Sequence, residues 1–439
     1  MADIGAGATD LARPTGPSAS DASRRGKILA LDRERLREVF DLRSDAHAGS
    51  VAGYTEDPYP KWHQLREQAP VQPGTLHELT GFHGPVTFQG LPFEDRPHFT
   101  AFTFPACDEA LRDESTFASS PAPVDLDHGD LAPLNSLLTM GGAQHRRYRA
   151  LVQPSFAQSR IPWWVDRWVA QAVDAVIDSF EADGRADLNS QFCAAIPVLT
   201  ITGSFGVDVD QAIDLREVLS TPQRLLPMLE PIVAARRDSS SDDLISVLVD
   251  SEITDADGQV HKLSDAEIYS FALLLLLAGS GTTWRQMGIT LAALLARTEL
   301  LGRARHDPGV LRGAIDESVR WCPTNPMFSR FLTTDVDFHG HRLPRGAVLH
   351  LGLGAGSRDP ARWDLPDEFD PGRPLRPSLG FGGGPHICLG AHLARAQMQV
   401  AIGALLQRLP HLRMDGDHPA PRIIGMYHRG PDSLPVRFD

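Results

Sequence analysis

Cys388 is the residue of this chain best placed to bind a metal ion as a thiolate. It lies in the segment FGGGPHICLG at 381–390, and a helical pattern begins directly after it. A thiolate in front of a helix faces the positive end of that helix and its unpaired N–H groups, which favour the anion. Gly382 and Gly384 allow the preceding backbone a bulged path, so that peptide N–H groups can approach the sulfur. A buried cysteine that only fills space would need none of these features.

The same segment resembles the haem-binding loop of cytochrome P450 enzymes almost position for position. The resemblance covers roughly residues 50–439 and implies a mainly α-helical, single-domain fold with small β-sheets. In that fold haem b lies between a central distal helix and the helix that follows the cysteine loop, and the thiolate binds the iron. Cys388 would therefore be the iron ligand, and Phe381, Gly382 and Gly390 would lie against the haem.

Glu317 and Arg320 stand three residues apart, so they share one face of a helix. Taken alone, such a pair usually forms a solvated salt bridge. It precedes DEFDPGR at 367–373, which resembles the P450 segment whose arginine joins the pair, here Arg373. The resemblance implies a buried, bidentate network that holds the proximal side of the haem and does not react.

Basic residues at four positions match the partners of the haem propionates in P450s. Two buried carboxylates need cationic or N–H partners. His145 and Arg149 lie four residues apart and match the His-x-x-x-Arg helix of the family, Arg330 opens a strand-like segment, and His386 lies in the cysteine loop. Any one of them could be ordinary surface charge, but together they indicate a propionate site.

The segment FALLLLLAGSGTTWRQ at 271–286 resembles the distal helix that crosses the haem. Thr282 occupies the position of the family's threonine, and Ala278 would lie against the haem. A mid-helix threonine usually bonds the carbonyl four residues earlier, here that of Ala278. In P450s this helix is locally distorted so that the threonine and a water serve dioxygen, and Gly279 and Gly281 would ease such a distortion.

The family's acidic residue is missing, because Gly281 stands in its place. Splitting the O–O bond consumes protons, which an ionisable group usually relays. Three explanations are open: water beside Gly281 helped by Ser280 or Thr283, a hydroxyl or carboxyl group of the substrate, or the use of peroxide. Arg285, one turn later, either holds a substrate carboxylate or points to solvent or an acidic neighbour.

The substrate pocket is predicted from positions alone. By the resemblance it is lined by the loop at 117–140 and by residues 274–282, 323–328 and 424–427. Its apolar side chains imply a hydrophobic small molecule and do not narrow the class further. The members assigned to it here are Leu274, Met327, Phe328 and Met426.

The two lid helices are predicted to be short. The stretch from Gly206 to Arg236 is shorter than most members of the family need for them, which suggests a reduced lid. Asp242 or Asp243 is expected to cap the helix that follows.

Composition excludes several classes of protein. A formal net charge of −14 argues against nucleic acid as the main partner. The four cysteines show no zinc spacing, which suits a reducing cytoplasm. The polar N-terminus lacks the apolar core of a signal peptide, and the run 271–279 is too short to span a membrane. Residues 1–50 are expected to be a flexible lead-in, and 51–439 the catalytic domain.

The pattern along the chain predicts mostly helices. A short helix and a strand are expected over 54–71 and strands and turns over 75–105, with no internal repeat. The predicted helices are 143–157, 163–182, 190–204, 243–251, 264–300, 308–321 and 391–408, and the later strands 330–338, 346–351 and pieces of 412–438.

The function implied by the resemblance is that of a monooxygenase that inserts one oxygen atom from O2 into a hydrophobic molecule. Electrons from NAD(P)H would arrive through an external ferredoxin and reductase, with Arg146, Arg147 and Arg395 as candidates for steering the acidic partner. A peroxygenase or a non-oxygenating rearrangement enzyme is the first alternative, motivated by Gly281. A non-enzymatic haem sensor or ligand carrier is a remote one.

Overall fold

α-Helices form most of the structure. This computed structural model describes residues 19–41, 54–81, 95–121, 137–217, 222–254 and 258–439. The helices are α1 (Ala19–Leu29), α2 (Arg33–Val39), α3 (Tyr59–Gln68), α4 (Leu76–Thr80), α5 (Phe104–Arg112), α6 (Gly142–Val152), α7 (Ile161–Trp164), α8 (Ala170–Asp178), α9 (Ala195–Gly203), α10 (Val209–Glu217), α11 (Pro222–Asp238), α12 (Leu244–Asp250), α13 (Asp265–Leu295), α14 (Thr298–His306), α15 (Pro308–Trp321), α16 (Leu353–Gly356) and α17 (Ala391–Arg408). π-Helical turns at Val165–Val169 and Asn189–Ala194 lead into α8 and α9.

The strands form one five-stranded sheet and several small ones. The strands are β1 (Val71–Pro73), β2 (His98–Ala101), β3 (Phe117–Ala118), β4 (Arg185–Asp187), β5 (Glu252–Thr254), β6 (Val260–Lys262), β7 (Phe328–Leu332), β8 (Val336–Phe338), β9 (His341–Leu343), β10 (Val348–Leu351), β11 (Arg413–Met414), β12 (Ile423–Ile424), β13 (Gly430–Pro431) and β14 (Pro435–Arg437). The large sheet has the order β1-β2-β10-β7-β3, in which β10 runs parallel to β2 and the other neighbours are antiparallel.

α13 is the central helix of the fold. It begins in a capping box, where the side chains of Ser264 and Glu267 each accept the other residue's backbone N–H. Its residues are apolar on almost every face, so neighbouring helices can cover it all round, and it packs on α9, α15 and α17. Among the described residues it is the one helix long and apolar enough to cross a membrane. Most of its apolar stretch is buried inside the protein, as expected for a core helix.

The predicted helix bounds agree best with the structure where residue types in the sequence mark both the start and the end of the helix. The helices at 308–321 and 391–408 are confirmed to the residue. The predicted helix at 264–300 is wrong at its end, because α13 stops at Leu295 and α14 begins only after Arg297 has left the helical conformation, with φ of −132° and ψ of 79°. The apolar pattern runs across that break, so periodicity alone could not locate it.

The N-terminal stretch contains two helices that the sequence did not predict. Residues 19–41 include α1, which packs on α8 and α10, and α2, which packs on α10; the flexible lead-in over residues 1–50 stays a prediction. Ion pairs hold this arm to α10: Lys27 lies 3.0 Å from Asp210, and Arg35 lies 2.9 Å from Glu217. Residues 1–18 and 42–50 lie outside the described residues, and the domain boundary near residue 51 remains a prediction.

Two helices, α10 and α11, lie in the segment predicted to form a reduced lid. The cap of the next helix is Asp243, whose side chain accepts the N–H of Ser246 at 2.8 Å. Asp242 instead accepts from the indole N–H of Trp163 at 3.0 Å. The capping prediction is therefore confirmed for Asp243, and the reduced lid stays a prediction.

Candidate active site

The loop before Cys388 has the bulged path that its glycines predict. Gly382 and Gly384 have φ of +73° and +62°, in the left-handed region that favours glycine. A Cβ on Gly384 would lie only 2.1 Å from the carbonyl oxygen of Leu111 on α5. The N–H of Cys388 donates to the carbonyl of Phe381 at 2.8 Å, which closes the loop in front of α17.

The Cys388 thiol differs from the other cysteines in its access. Cys388 is exposed, whereas Cys107, Cys193 and Cys322 are buried, as the sequence suggested for structural cysteines. Burial by the surrounding protein nevertheless raises the pKa of the Cys388 thiol, and the N–H of Gly390 opposes that rise. An accessible thiol that is still screened from bulk water faces an interior space, which is where a bound cofactor would meet it.

α6 brings two of the predicted basic residues against the cysteine loop. The imidazole rings of His145 and His386 stack with centroids 3.9 Å apart. Arg149 donates from Nη2 to the carbonyl of Ile387, the neighbour of Cys388, at 2.9 Å. α6 also reaches α13, because the hydroxyl of Tyr148 donates to Glu267. One helix thus connects the cysteine loop with the distal helix.

The basic cluster lowers the pKa values of its own members. Burial, followed by the charges of Arg149, Arg146 and Arg330, lowers the pKa of His145 to about 4. Burial, followed by His145 and Arg330, lowers the pKa of His386 to about 3. Arg330 on β7 is buried, and burial lowers its pKa to about 10. The two imidazoles are therefore neutral near pH 7, and the charges of Arg149 and Arg330, together with the N–H donors of the rings, form an environment suited to an anion.

Sequence reasoning missed Glu114 and Ser119. The carboxylate of Glu114 and the hydroxyl of Ser119 each lie 2.9 Å from Nε2 of His386. Glu114 lies between α5 and the loop at 117–140, and Ser119 lies within that loop; no local pattern marked either of them as a partner of His386. Ligand atoms of Glu114, His145 and His386 all lie within 4.8 Å of one another.

The haem predicted by the sequence fits this site. Nδ1 of His145 is buried and has no hydrogen-bond partner among the described residues. The guanidiniums of Arg149 and Arg330 and the N–H groups of the two imidazoles offer more donors than the carboxylate of Glu114 can satisfy. Two further carboxylates, such as haem propionates, would supply the missing acceptors. The accessible Cys388 thiolate would hold the iron.

Glu317, Arg320 and Arg373 form the buried network that the resemblance implied. Arg320 donates to both carboxylate oxygens of Glu317 at 2.7 Å, and Arg373 donates from Nε at 3.0 Å. The N–H of Asp370 adds a fourth hydrogen bond to the carboxylate at 2.9 Å. Arg320 also donates to the carbonyls of Ser357, Pro366 and Glu368. The network therefore ties α15 to the segment that leads into the cysteine loop.

The distal helix has one accessible stripe. Ala278 is exposed and Gly279 and Thr282 are partly exposed, although the residues around them on α13 are mostly buried. The hydroxyl of Thr282 donates to the carbonyl of Ala278 at 2.6 Å, as predicted. The expected local distortion is absent, because α13 is regular from Asp265 to Leu295.

Ser280 does not reach this stripe. It is buried, and its hydroxyl donates to the carbonyl of Leu276 at 2.6 Å. At 100° per residue, Ser280 lies on the opposite side of the helix from Ala278. Thr283 is buried as well. The role of Ser280 or Thr283 in assisting a water beside Gly281 stays a prediction.

Arg285 takes neither of the orientations predicted for solvent or an acidic neighbour. It is only 5% exposed, and its Nη1 donates to the carbonyl of Gly281 at 2.9 Å. Burial, followed by the charge of Arg216, lowers its pKa to about 9. The position where the family has an acid is thus flanked by a buried cation.

Two of the four predicted pocket residues are enclosed by protein. Met327 and Met426 are 1% and 0% exposed and belong to one apolar cluster with Tyr59 and Trp62, and their assignment to a pocket wall stays a prediction. Leu274 is also buried, and Phe328 is partly exposed. The predicted pocket segment at 122–136 lies outside the described residues.

Comparison with known proteins assigns the chain to a family. A sequence profile described as cytochrome P450 matches residues 223–426. Cytochrome P450 107B1 of Saccharopolyspora erythraea is 32% identical over 323 residues, which are 70% of this chain and 78% of that protein. The chain belongs to the cytochrome P450 family. Mycinamicin IV hydroxylase/epoxidase of Micromonospora griseorubida is 32% identical over 68% of this chain and 79% of its own length.

Solved structures agree with the fold of this P450. The crystal structure of P450BioI in complex with hexadec-9Z-enoic acid ligated acyl carrier protein matches with a TM-score of 0.72 at 25% identity, over 87% of this chain and 98% of that chain. The predicted family, fold class and enzyme class are confirmed: the protein is a P450 monooxygenase, a haem-iron oxidoreductase of small organic molecules. The family implies a redox partner, whose identity none of these comparisons gives.

Proposed function

We propose that this P450 inserts one oxygen atom from O2 into a hydrophobic organic molecule, with Cys388 as the iron ligand and with electrons from NAD(P)H delivered by a ferredoxin and its reductase. The observation that carries the proposal is the pairing of an accessible, screened Cys388 thiol with the donor-rich cluster of His145, Arg149, Arg330 and His386. In this proposal the exposed stripe of α13 faces the thiol across the haem. A cytoplasmic location completes it, in keeping with the unpaired cysteines.

Each group at the site has one part in the proposal. Haem, when bound, supplies the oxygen activation and electron transfer that no side chain can perform. Arg149, Arg330 and the two histidines hold its carboxylates and fix its orientation. Thr282 keeps an exchangeable hydroxyl proton on the accessible stripe of α13, next to Ala278, which leaves room for substrate.

Arg146 and Arg395, two of the arginines proposed to steer the electron donor, differ in how available their side chains are. Arg395 forms an ion pair with Asp316, with Nε and carboxylate oxygen 2.6 Å apart, and lies 4.4 Å from the ring centroid of Phe381. These contacts hold its guanidinium beside the cysteine loop and leave it less available to a docking partner. Arg146 is exposed and remains the better candidate for steering an acidic ferredoxin.

The test compares purified wild-type holoenzyme with Cys388→Ser, and uses Cys322→Ser as a matched control because Cys322 is buried on the end of α15. We expect the wild type and the control to give a thiolate-type spectrum of the reduced CO complex, and Cys388→Ser to lose it. A thiolate-type spectrum in Cys388→Ser would contradict the ligand assignment. Product formation with ferredoxin, reductase and NAD(P)H then tests the electron route.

A peroxide-driven reaction is the second candidate, and the surroundings of Gly281 favour it. A Cβ on Gly281 would meet only Nη1 of Arg285 within 4 Å, so no described carboxylate occupies the place of the family's acid. Peroxide brings its own protons, which would make that acid dispensable. Sustained product from peroxide, with none from ferredoxin and NAD(P)H, would establish this alternative over the first.

A further inference from the structure

The N-terminal arm, residues 19–41, is anchored on the helical body of the protein. Arg24 of α1 donates from Nη2 to the carbonyl of Leu199 on α9 at 2.9 Å. Gly203, also on α9, leaves the space that this guanidinium occupies, because a Cβ there would overlap Nη2 of Arg24. α1 also packs along α8. The first helix of the arm is therefore fixed to both α8 and α9.

Phe40, at the end of α2, anchors the other end of the arm and also reaches α10. It is 1% exposed, and its ring lies 5.0 Å from that of Trp284 on the distal helix α13, edge to face. The guanidinium of Arg216 on α10 lies 5.5 Å from the centroid of the same ring, within the range of a cation–π attraction. Phe40 thus contacts both the distal helix and α10.

The acidic side chains of α10, and that of the residue before it, bind the arm. Four acidic residues occur between positions 208 and 217, and each of them pairs with a basic side chain of α1 or α2. The pairs are Lys27 with Asp208 and Asp210, and Arg35 with Asp214 and Glu217. All six side chains are at least a third exposed, so water and dissolved ions reach them. Each such pair contributes little by itself and is screened by salt.

These two kinds of contact differ in their response to salt. The anchors on α9 and α13 are a hydrogen bond to a backbone carbonyl and a buried ring, which ions in solution affect little. The pairs with α10 are exposed, and the range over which such charges attract falls from about 30 Å at 0.01 M salt to about 3 Å at 1 M. Ile213 and Leu215 of α10 are buried, so salt should loosen this helix without detaching it. Raised ionic strength therefore acts on α10 before it acts on the anchors of the arm.

We propose that Lys27 and Arg35 form an ionic latch that keeps α10 closed over the distal side, and that opening of the latch admits ligands to the site. The proposal rests on the proposed function, because α10 acts as a lid only over a site that binds haem and substrate. A latch of this kind slows the entry and the exit of a ligand alike. It therefore changes the on-rate and the off-rate together and leaves the Kd nearly unchanged.

The experiment measures binding of 4-phenylimidazole, a ligand of haem iron, to ferric holoenzyme by stopped flow at the Soret band. At about pH 8 the probe is uncharged, since imidazoles titrate near about 6.5. Hydrogen–deuterium exchange of the α10 amides is followed on the same samples. The latch variants are Arg35→Gln and Lys27→Gln. The matched control is Arg33→Gln, because the side chain of Arg33 is as exposed as that of Arg35, 40%, but binds Asp183, which lies outside α10.

In about 20 mM NaCl, we expect Arg35→Gln and Lys27→Gln to raise both ligand rates and the exchange rate of α10 about three- to tenfold, because each variant loses two exposed pairs. In about 500 mM NaCl the wild type should approach the variants, because screening has already weakened its pairs. The Kd of the probe should stay within about twofold throughout. Arg33→Gln should keep the wild-type rates at both salt concentrations.

Equal exchange of α10 in the wild type and both latch variants at low salt would overturn the latch. Faster exchange with unchanged ligand rates would overturn the gating role, since α10 would then loosen without admitting the probe. The same acceleration in Arg33→Gln would also overturn the assignment, because the effect would then belong to docking of the whole arm. Failure of the proposed function reads out separately, as a missing thiolate-type CO spectrum, whereas amide exchange of α10 needs no haem chemistry.

Discussion

Replacing Glu317 by Gln should be among the most destabilising conservative substitutions in this protein. The carboxylate of Glu317 accepts four hydrogen bonds, three of them from the guanidinium groups of Arg320 and Arg373. A glutamine keeps the shape, but its NH2 group would face Nε of Arg320, donor against donor. The buried guanidinium of Arg320 and the half-buried one of Arg373 would also lose the counter-charge that they share. Breaking a buried pair in this way costs about 3–5 kcal/mol.

The assay is urea unfolding of the holoenzyme, followed both by far-UV circular dichroism and by the Soret band. Agreement of the two probes first establishes that one transition is measured. The control is Asp337→Asn, which breaks the pair between Arg342 and Asp337, 3.2 Å apart with both side chains largely exposed. Exposed pairs contribute about 0–1 kcal/mol. If Glu317→Gln lowered the free energy of unfolding no more than Asp337→Asn does, the idea that burial makes this network strongly stabilising would be refuted.

Two other perturbations follow from the geometry. Gly384→Ala should abolish haem incorporation, because its Cβ would lie 2.1 Å from the carbonyl oxygen of Leu111 and because residue 384 has a φ of +62°. Gly302→Ala, in an open part of α14, is the control and should leave haem incorporation intact. Equal haem contents of the two purified variants would contradict the prediction. His350 is buried, its Nε2 lies 2.9 Å from Nδ1 of His98, and burial lowers its pKa to about 3. The unfolded chain therefore binds its proton first, so stability should fall by up to about 1.4 kcal/mol per unit as pH drops from about 6.5 toward the folded pKa. Urea unfolding at about pH 6.5 and 4.5 gives the change in the free energy of unfolding with pH, and His350→Gln should make that change smaller. The same change in the wild type and in His350→Gln would contradict the prediction.

Spacing along the chain predicted the parts of the site that lie within one element or loop. Glu317 and Arg320 share a helical face because they are three residues apart, and the positive φ of Gly382 and Gly384 follows from residue type. Helices with clear signals at both ends were placed to the residue. The break after Leu295 was missed, because an apolar pattern continues through it.

Contacts between distant segments could not be predicted in this way. Met327 and Met426 are apolar in sequence whether they line a pocket or fill the core, and only the tertiary structure shows that both are buried in one cluster with Tyr59 and Trp62. Glu114 reaches His386 from the far side of the cysteine loop, with no local pattern to mark it.

By itself, the sequence determined the family, the thiolate ligand expected at Cys388 and the loss of the distal acid at Gly281, because short-range spacing and residue type carry that information. Tertiary structure alone decided that Arg285 turns back onto α13 and shares its surroundings with Arg216, some seventy residues earlier in the chain. The electrostatics of a buried charge depend on what folds around it, and no local pattern encodes which segments will meet.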